Sequence, residues 1–312
     1  MSDNQKIYVV GHKNPDTDSI CSAICYAELK NKITGEAHEA KRAGNVNEET
    51  QYVLDYFGVK APVFLENAEN EKVILVDHNE MTQTVDGVKN AEIMEVIDHH
   101  KIGDISTDVP IYFRNQPVGC TATIIYQMYQ ENNQEVTKEI AGMLCSAIIS
   151  DTLMFRSPTC TPVDKEIALK LAEIAGINVE EYAVAMFKAG SNLADKTPEE
   201  IFYQDFKKFN VGDVNFGVGQ ISSMATDELF EIADRLKPYI AKACEEQGLD
   251  MIFFMLTDIL EESTNLIYAG AKAGEFVEKA YGVPCEEGDY YKLAGVVSRK
   301  KQLIPAFMAA LQ

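Results

Sequence analysis

The sequence predicts an α/β protein: an N-terminal domain with a parallel sheet flanked by helices, then a smaller C-terminal α/β domain with a mixed sheet. Three observations carry this. Short apolar, β-branched runs alternate with longer segments of helical periodicity, the pattern of strands joined by helical crossovers. Polar residues stand at the ends of three successive N-terminal strands, where a parallel sheet gathers them into one crevice. At 312 residues the chain is also long for a single hydrophobic core.

Residues 6–10 read as the first strand, stopping at Gly11-His12, and a helical pattern follows from about Ser19 to Lys30. The strand at 73–76 ends at Asp77-His78-Asn79, and that at 93–97 ends at Asp98-His99-His100. Helical periodicity marks 120–130, 138–149 and 163–175; Thr161-Pro162 opens the last, Thr suiting the cap and Pro the first turn. The polar Gly- and Pro-containing stretch 188–198 reads as a linker, which divides the chain into 1–189, a linker at 190–196, and 197–312. In the second domain 214–220 and 250–258 read as strands, 226–247 as helix, and 261–268 and 293–298 as strand-like pieces. There is no internal repeat or low-complexity tract.

Composition narrows the function. The chain is 46% hydrophobic and 25% charged, as an ordinary soluble globular protein is. A net charge of -21 repels nucleic acid and anionic lipid, so an anionic substrate must meet bound metal or a few clustered basic side chains. The seven cysteines, Cys21, Cys25, Cys120, Cys145, Cys160, Cys244 and Cys285, show no C-x-x-C pair and read as buried thiols. No signal-like or membrane-length apolar run is present, and a reducing cytoplasm fits both features.

Four of the five histidines, His12, His78, His99 and His100, stand at the three strand ends beside Asp16, Asp18, Asp77 and Asp98. Any one of them alone is better read as a hydrogen-bonded structural residue; their joint placement with the acids reverses that. Carboxylates so gathered raise one another's pKa unless cations intervene. An oxygen and nitrogen donor set without thiolate suits Mn²⁺ or Co²⁺, and Mg²⁺ less well. More carboxylates than one ion needs points to two ions sharing a bridge. Asp16-Thr17-Asp18-Ser19 before a helix also reads as a cap, and the absence of G-x-x-x-x-G-K-[ST] rejects a Walker-type site.

Taken together, Gly11-His12-Lys13-Asn14-Pro15-Asp16-Thr17-Asp18-Ser19, Val76-Asp77-His78-Asn79-Glu80, Asp98-His99-His100, Ser150-Asp151-Thr152 and Ser298-Arg299-Lys300-Lys301-Gln302 make the chain similar to the family II inorganic pyrophosphatases of the DHH phosphoesterase superfamily. The resemblance implies a metal-binding DHH domain and a substrate-binding DHHA2-type domain. It implies one metal held by His12, Asp16, Asp77 and Asp151 and another by Asp18, Asp77, His99 and Asp151. His100 would face the substrate as hydrogen-bond donor or general acid, while His78 and Asp98 orient the ligands from behind or simply pack. Arg299, Lys300 and Lys207, the last weighed against Lys208, would bind the phosphates; alone, 299–301 reads as a solvated charge run.

The activity implied by this resemblance is hydrolysis of pyrophosphate to two phosphates by a water activated between two Mn²⁺ ions, with Co²⁺ or Mg²⁺ as substitutes. Because the acids and histidines fall in the first domain and the basic residues in the second, closure of the two is expected to assemble the site; the resemblance also implies a homodimer through the first domain. The rival readings are an exopolyphosphatase or short-oligonucleotide phosphodiesterase of the same superfamily, and a non-catalytic metal-binding regulatory protein.

Overall fold

The structure is a computed structural model that describes residues 6–191, 193–212 and 214–311, apart from the side chains of Lys300 and Lys301. The chain divides into two compact units, Met1–Gly190 and Ser191–Gln312.

In the first unit the strands are β1 (Ile7–Val10), β2 (His38–Arg42), β3 (Val63–Phe64), β4 (Lys72–Val76), β5 (Glu92–Asp98) and β6 (Tyr112–Asn115). They form one sheet in the order β3-β2-β1-β4-β5-β6, every neighbouring pair parallel. The apolar runs of β1 and β4 are buried because helices cover them. The helices are α1 (Thr17–Ile33), α2 (Glu48–Phe57), α3 (Thr121–Glu131), α4 (Lys138–Asp151), α5 (Pro162–Ala175) and α6 (Val179–Ser191). Strand order reverses between β1 and β4, so the crevice at their carboxyl ends is the expected ligand position of an open α/β sheet. Thr161 caps α5: its hydroxyl accepts from Asp164 N, and the Asp164 carboxylate accepts from Thr161 N at 2.7 Å.

The second unit contains α7 (Pro198–Gln204), β7 (Phe206–Val211), β8 (Val214–Ser223), α8 (Thr226–Glu246), β9 (Met251–Asp258), β10 (Ser263–Ala269), α9 (Ala273–Tyr281), β11 (Tyr291–Ala294) and α10 (Ile304–Leu311). Its sheet runs β11-β10-β9-β8-β7 and is mixed, with β8 and β9 parallel and the other pairs antiparallel. Both faces are covered. Leu229, Ile232 and Leu236 of α8 pack against Phe254 and Leu256 on one, and Leu303 and Phe307 pack with Phe216 and Phe253 on the other.

Three sequence expectations need correction. Residues 188–191, read as linker, continue α6 as helix. The strand expected over 293–298 ends at Ala294, because Gly295 takes a φ of 73° and the chain then turns into a π-helical stretch at Arg299–Leu303. The thiols are not all buried: Cys160 is half-buried and Cys285 exposed. No described helix is long and apolar enough to cross a membrane.

Candidate metal centre

The first edge of the site is the turn from β1 into α1. A Cβ added to Gly11 would lie 1.9 Å from Ser19 Oγ, so only glycine lets the chain pass close enough for His12 N to donate to that hydroxyl at 3.0 Å. Asp16 is the N-cap of α1, its Oδ1 accepting from Ser19 N at 2.9 Å. Its other oxygen lies 3.5 Å from His12 Nε2. The capping and metal readings of this loop therefore coexist on two oxygens of one carboxylate. Asp18, fully buried in the first turn, accepts from Thr121 N at 2.6 Å and Ala122 N at 3.1 Å, the free amides that open α3.

The second edge comes from β4 and β5. Asp77, directly after β4, takes a left-handed φ of 62°, a strained conformation of the kind that gathers at functional sites. It lies within 3.4 Å of His12 Nε2 and 3.5 Å of His99 Nε2, and Thr121 Oγ1 donates to it at 3.1 Å. His78 is buried, with Nδ1 2.9 Å from Val76 O and Nε2 lacking a hydrogen-bond partner. His99 Nδ1 faces Val118 O at 3.0 Å, which makes Nδ1 the protonated nitrogen of the neutral ring and turns the Nε2 lone pair toward the acids. His100, half-exposed, holds Asp98 Oδ1 at 2.9 Å through Nδ1.

Asp151 ends α4 and lies 3.7 Å from His99 Nε2. Among the described residues, potential ligand atoms come within mutual coordination reach in three groups: His12, Asp16 and Asp77; Asp18, Asp77, His99 and Asp151; and Asp77, His99 and His100. Asp77 belongs to all three, whereas Asp151 joins the second and not the first.

The electrostatics of the cluster follow from burying several carboxylates and imidazoles together. Burial and neighbouring Asp77 push the Asp18 carboxyl up to about 7, and burial with Asp18 and Asp77 raises Asp151 well above the carboxylate range. Burial alone would lower the two imidazoles, but Asp16 and Asp77 hold His12 at about 10, and Asp77 and Asp18 hold His99 at about 9. Burial would raise Asp77, yet His12 and His99 keep it below the ordinary range. His99 Nε2 is buried with no hydrogen-bond partner. A neutral lone pair facing carboxylates needs a proton or a cation between them, so the donor set fits divalent metal.

A metal held here would need these groups deprotonated, so Mn²⁺ binding would displace protons from His12, His99 and Asp18. We expect Mn²⁺ affinity to rise from pH 6 to 8, still below the values of about 10 and about 9 held by the imidazoles. Calorimetric titration in buffers of different ionisation enthalpy measures the release; a heat independent of buffer would contradict it.

The basic residues lie in the second unit. Arg299 is buried, its Nη1 donating to Asp205 O at 2.8 Å and Val218 O at 3.2 Å, and its Nη2 to Asp205 Oδ1 at 2.7 Å. It is therefore an anchored guanidinium, unlike the solvated run suggested by its sequence context. Lys207 and Lys208 are both exposed on β7. Strand alternation separates them: Lys207 shares a face with Phe209 and lies opposite Val218, the strand position whose carbonyl holds Arg299, while Lys208 shares the other face with Phe206. The Lys300 side chain lies outside the described residues.

Sequence reasoning missed the residues that brace the centre. Glu49 of α2 accepts from Thr17 at 2.6 Å and Ser150 at 2.5 Å, tying α1 to the end of α4 beside Asp151. Asp164 accepts from Gly119 N at 2.8 Å and Thr123 Oγ1 at 2.6 Å, and so holds the loop leading into α3. The one signal for Asp164 was its place three residues after the capping Thr161.

A parallel sheet with an acid and histidine cluster at its switch point, followed by a mixed-sheet unit carrying basic residues, defines an α/β protein with a candidate divalent-metal site. Residues 6–148 match the DHH family, N-terminal domain, and residues 184–310 the DHHA2 domain. The chain is 48% identical to a manganese-dependent inorganic pyrophosphatase of Methanothrix thermoacetophila over 100% of both chains. It is 47% identical to that of Bacillus subtilis over 98% of this chain and 99% of the relative. The crystal structure of a Methanococcus jannaschii protein assigned to the family II inorganic pyrophosphatases matches with a TM-score of 0.63 and 40% identity, covering 97% of this chain and 99% of that one. An exopolyphosphatase-related protein of Bacteroides fragilis, 15% identical with a TM-score of 0.52 and coverage of 98% and 92%, shares the fold. The chain belongs to the manganese-dependent, family II inorganic pyrophosphatases of the DHH superfamily.

Proposed function

We propose that the chain hydrolyses inorganic pyrophosphate to two phosphates at the acid and histidine cluster. The observation that carries this is the convergence of His12, Asp16 and Asp77 beside Asp18, His99 and Asp151, two ligand sets that share Asp77, in a chain nearly half identical to manganese-dependent pyrophosphatases over its whole length. The first set and the second would each hold one Mn²⁺, with Co²⁺ or Mg²⁺ able to substitute. When bound, the two cations supply Lewis acidity and lower the pKa of attacking water from about 16 toward neutrality.

The chain's own residues do the rest. Asp98 is acceptor-only when ionised, so His100 Nδ1 carries the hydrogen in their 2.9 Å contact. In the imidazolium form, which the Asp98 contact favours, the opposite nitrogen also carries a hydrogen, and it is this one that passes to the leaving phosphate oxygen, returning the ring to its neutral Nδ1–H form. Lys207, Arg299 and Lys300 of the DHHA2 domain bind the non-bridging oxygens and offset their charge. His78 and Asp98 restrain the ligand-bearing turns. Water can serve as the nucleophile directly, and no covalent intermediate is needed.

Phosphate release from pyrophosphate, tripolyphosphate and a dinucleotide tests the assignment. We expect pyrophosphate to be preferred by at least about tenfold in kcat/KM, the 1.4 kcal/mol step that a site built for a compact diphosphate readily supplies. Preference for tripolyphosphate or the dinucleotide would install the rival enzymes, and tight Mn²⁺ binding without any release would install the regulatory reading. The exposed Tyr112 and Phe113 on the edge strand β6, with exposed Ile102 and Val109 in the loop that precedes it, support a homodimer through the first domain. Sedimentation at the 34.7 kDa of one chain would remove it.

A further inference from the structure

We propose that Asn79 is a positioning residue for His100, clamping the His99-His100 turn from both sides and fixing the carboxylate that sets the tautomer of His100. This rests on the reading of His100 as the proton carrier facing the substrate.

Asn79 lies two residues beyond Asp77 and is 2% exposed. Its Nδ2 donates to Asp98 Oδ2 and to Lys101 O at 2.9 Å, and its Oδ1 accepts from Gly103 N. One side chain therefore reaches the residue before the histidine pair and the residue after it. The packing leaves no slack: a Cβ added to Gly103 would lie 2.7 Å from Asn79 O and 2.5 Å from Glu80 Cγ.

Asp98 is the intermediary. Its Oδ1 accepts from His99 N at 2.8 Å, His100 N at 3.1 Å and His100 Nδ1 at 2.9 Å. Among the described hydrogen bonds, Asn79 makes the only one to Oδ2. The Asn79 amide thus decides the rotation of the carboxylate about its own axis. Rotation in turn decides whether an acceptor-only oxygen faces His100 Nδ1 and leaves the other imidazole nitrogen, on a side chain 53% exposed, free for the substrate. The Asn115 amide, donating to His100 O at 2.7 Å, holds the backbone from the β6 side. Neither Asn79 nor Asn115 needs to touch substrate to do this.

The test compares Asn79→Ala, His100→Ala and the double variant as Mn²⁺-loaded enzymes, with bound metal measured on each. Asn79→Ala should lower kcat by roughly 10–100-fold at saturating Mn²⁺, the range found when a partner orienting an active-site ligand is removed, with KM changed by less than about threefold. Because Asn79 acts through His100, the double variant should be no more than about threefold slower than His100→Ala. A double variant slowed by the product of the two single losses overturns the proposal, as does recovery of Asn79→Ala by excess Mn²⁺. The readout independent of catalysis is side-chain nitrogen NMR of metal-free protein above the titration of His100. The wild type should show the Nδ1–H tautomer and Asn79→Ala a mixture; an unchanged tautomer also overturns it. Should Asn79→Ala not fold, Asn79→Ser, whose single hydroxyl cannot reach three partners, carries the same comparisons. If tautomer control is found but no variant or wild type releases phosphate, the proposed activity falls and the positioning role stands.

Discussion

Asp77→Ala is expected to abolish phosphate release from pyrophosphate whichever of Mn²⁺, Co²⁺, Mg²⁺ or Zn²⁺ is supplied. Asp77 belongs to every grouping of potential ligands in the cluster and lies within 3.5 Å of both His12 and His99. Removing it strips one donor from each proposed cation at once. Metal stabilisation of the developing charge is worth several kcal/mol, and each 1.36 kcal/mol is tenfold in rate, so the loss should reach about a thousandfold or more. The imidazoles also lose the carboxylate that keeps them charged in the metal-free protein. Reconstituting metal-stripped variant separately with each cation checks this. Recovery of more than a few per cent of wild-type activity with any one of them would show that Asp77 is not a shared ligand.

Arg299→Ala should impair both the second unit's stability and substrate capture. Its guanidinium donates to two backbone carbonyls and to Asp205 from a site 8% exposed. Losing these bonds costs about 1–3 kcal/mol, the lower part favoured because the Asp205 carboxylate is nearly half-exposed and screened. Lysine should not rescue it, since one ammonium cannot reproduce a planar fork serving three acceptors. Urea unfolding of the variant reads the first effect. A KM raised at least about tenfold, as expected from removal of one charge-assisted contact to phosphate, reads the second. A drop in stability with unchanged KM would mean that Arg299 only anchors β7 to β8.

Where apolar pattern and chemistry coincided, the sequence was legible. The buried runs of β1, β4 and β5 announce themselves, and the acids and histidines behind them mark the carboxyl ends of parallel strands. β2 did not, because its five residues, His38-Glu39-Ala40-Lys41-Arg42, are mostly polar. They enter the sheet by burying stems, as Lys41 does with its ammonium 4.9 Å from the ring centre of Tyr8. Positive φ at Asp77, and at Leu153, Met154 and Phe155 just after Asp151, also left no mark in the sequence. Side chains with a Cβ take that conformation only where surrounding structure imposes it.

The site divides the same way. Asp18 and Asp77 could be picked out by residue type and position. Asp151 looked like an ordinary helix end, and only the resemblance raised it. Asn79 and Glu49 were invisible as functional residues because their roles consist of bonds to residues distant in sequence: Asn79 to Asp98, Lys101 and Gly103, Glu49 to Ser150. Nothing in an isolated Asn or Glu codes for such partners.

The most direct measurement is phosphate release from pyrophosphate by metal-stripped protein as Mn²⁺ is added in known equivalents. Activity should be absent without metal, rise with each addition, and level off at two ions per chain. Full activity at one equivalent, activity without any metal, or silence at two would contradict a paired-cation site built on Asp77.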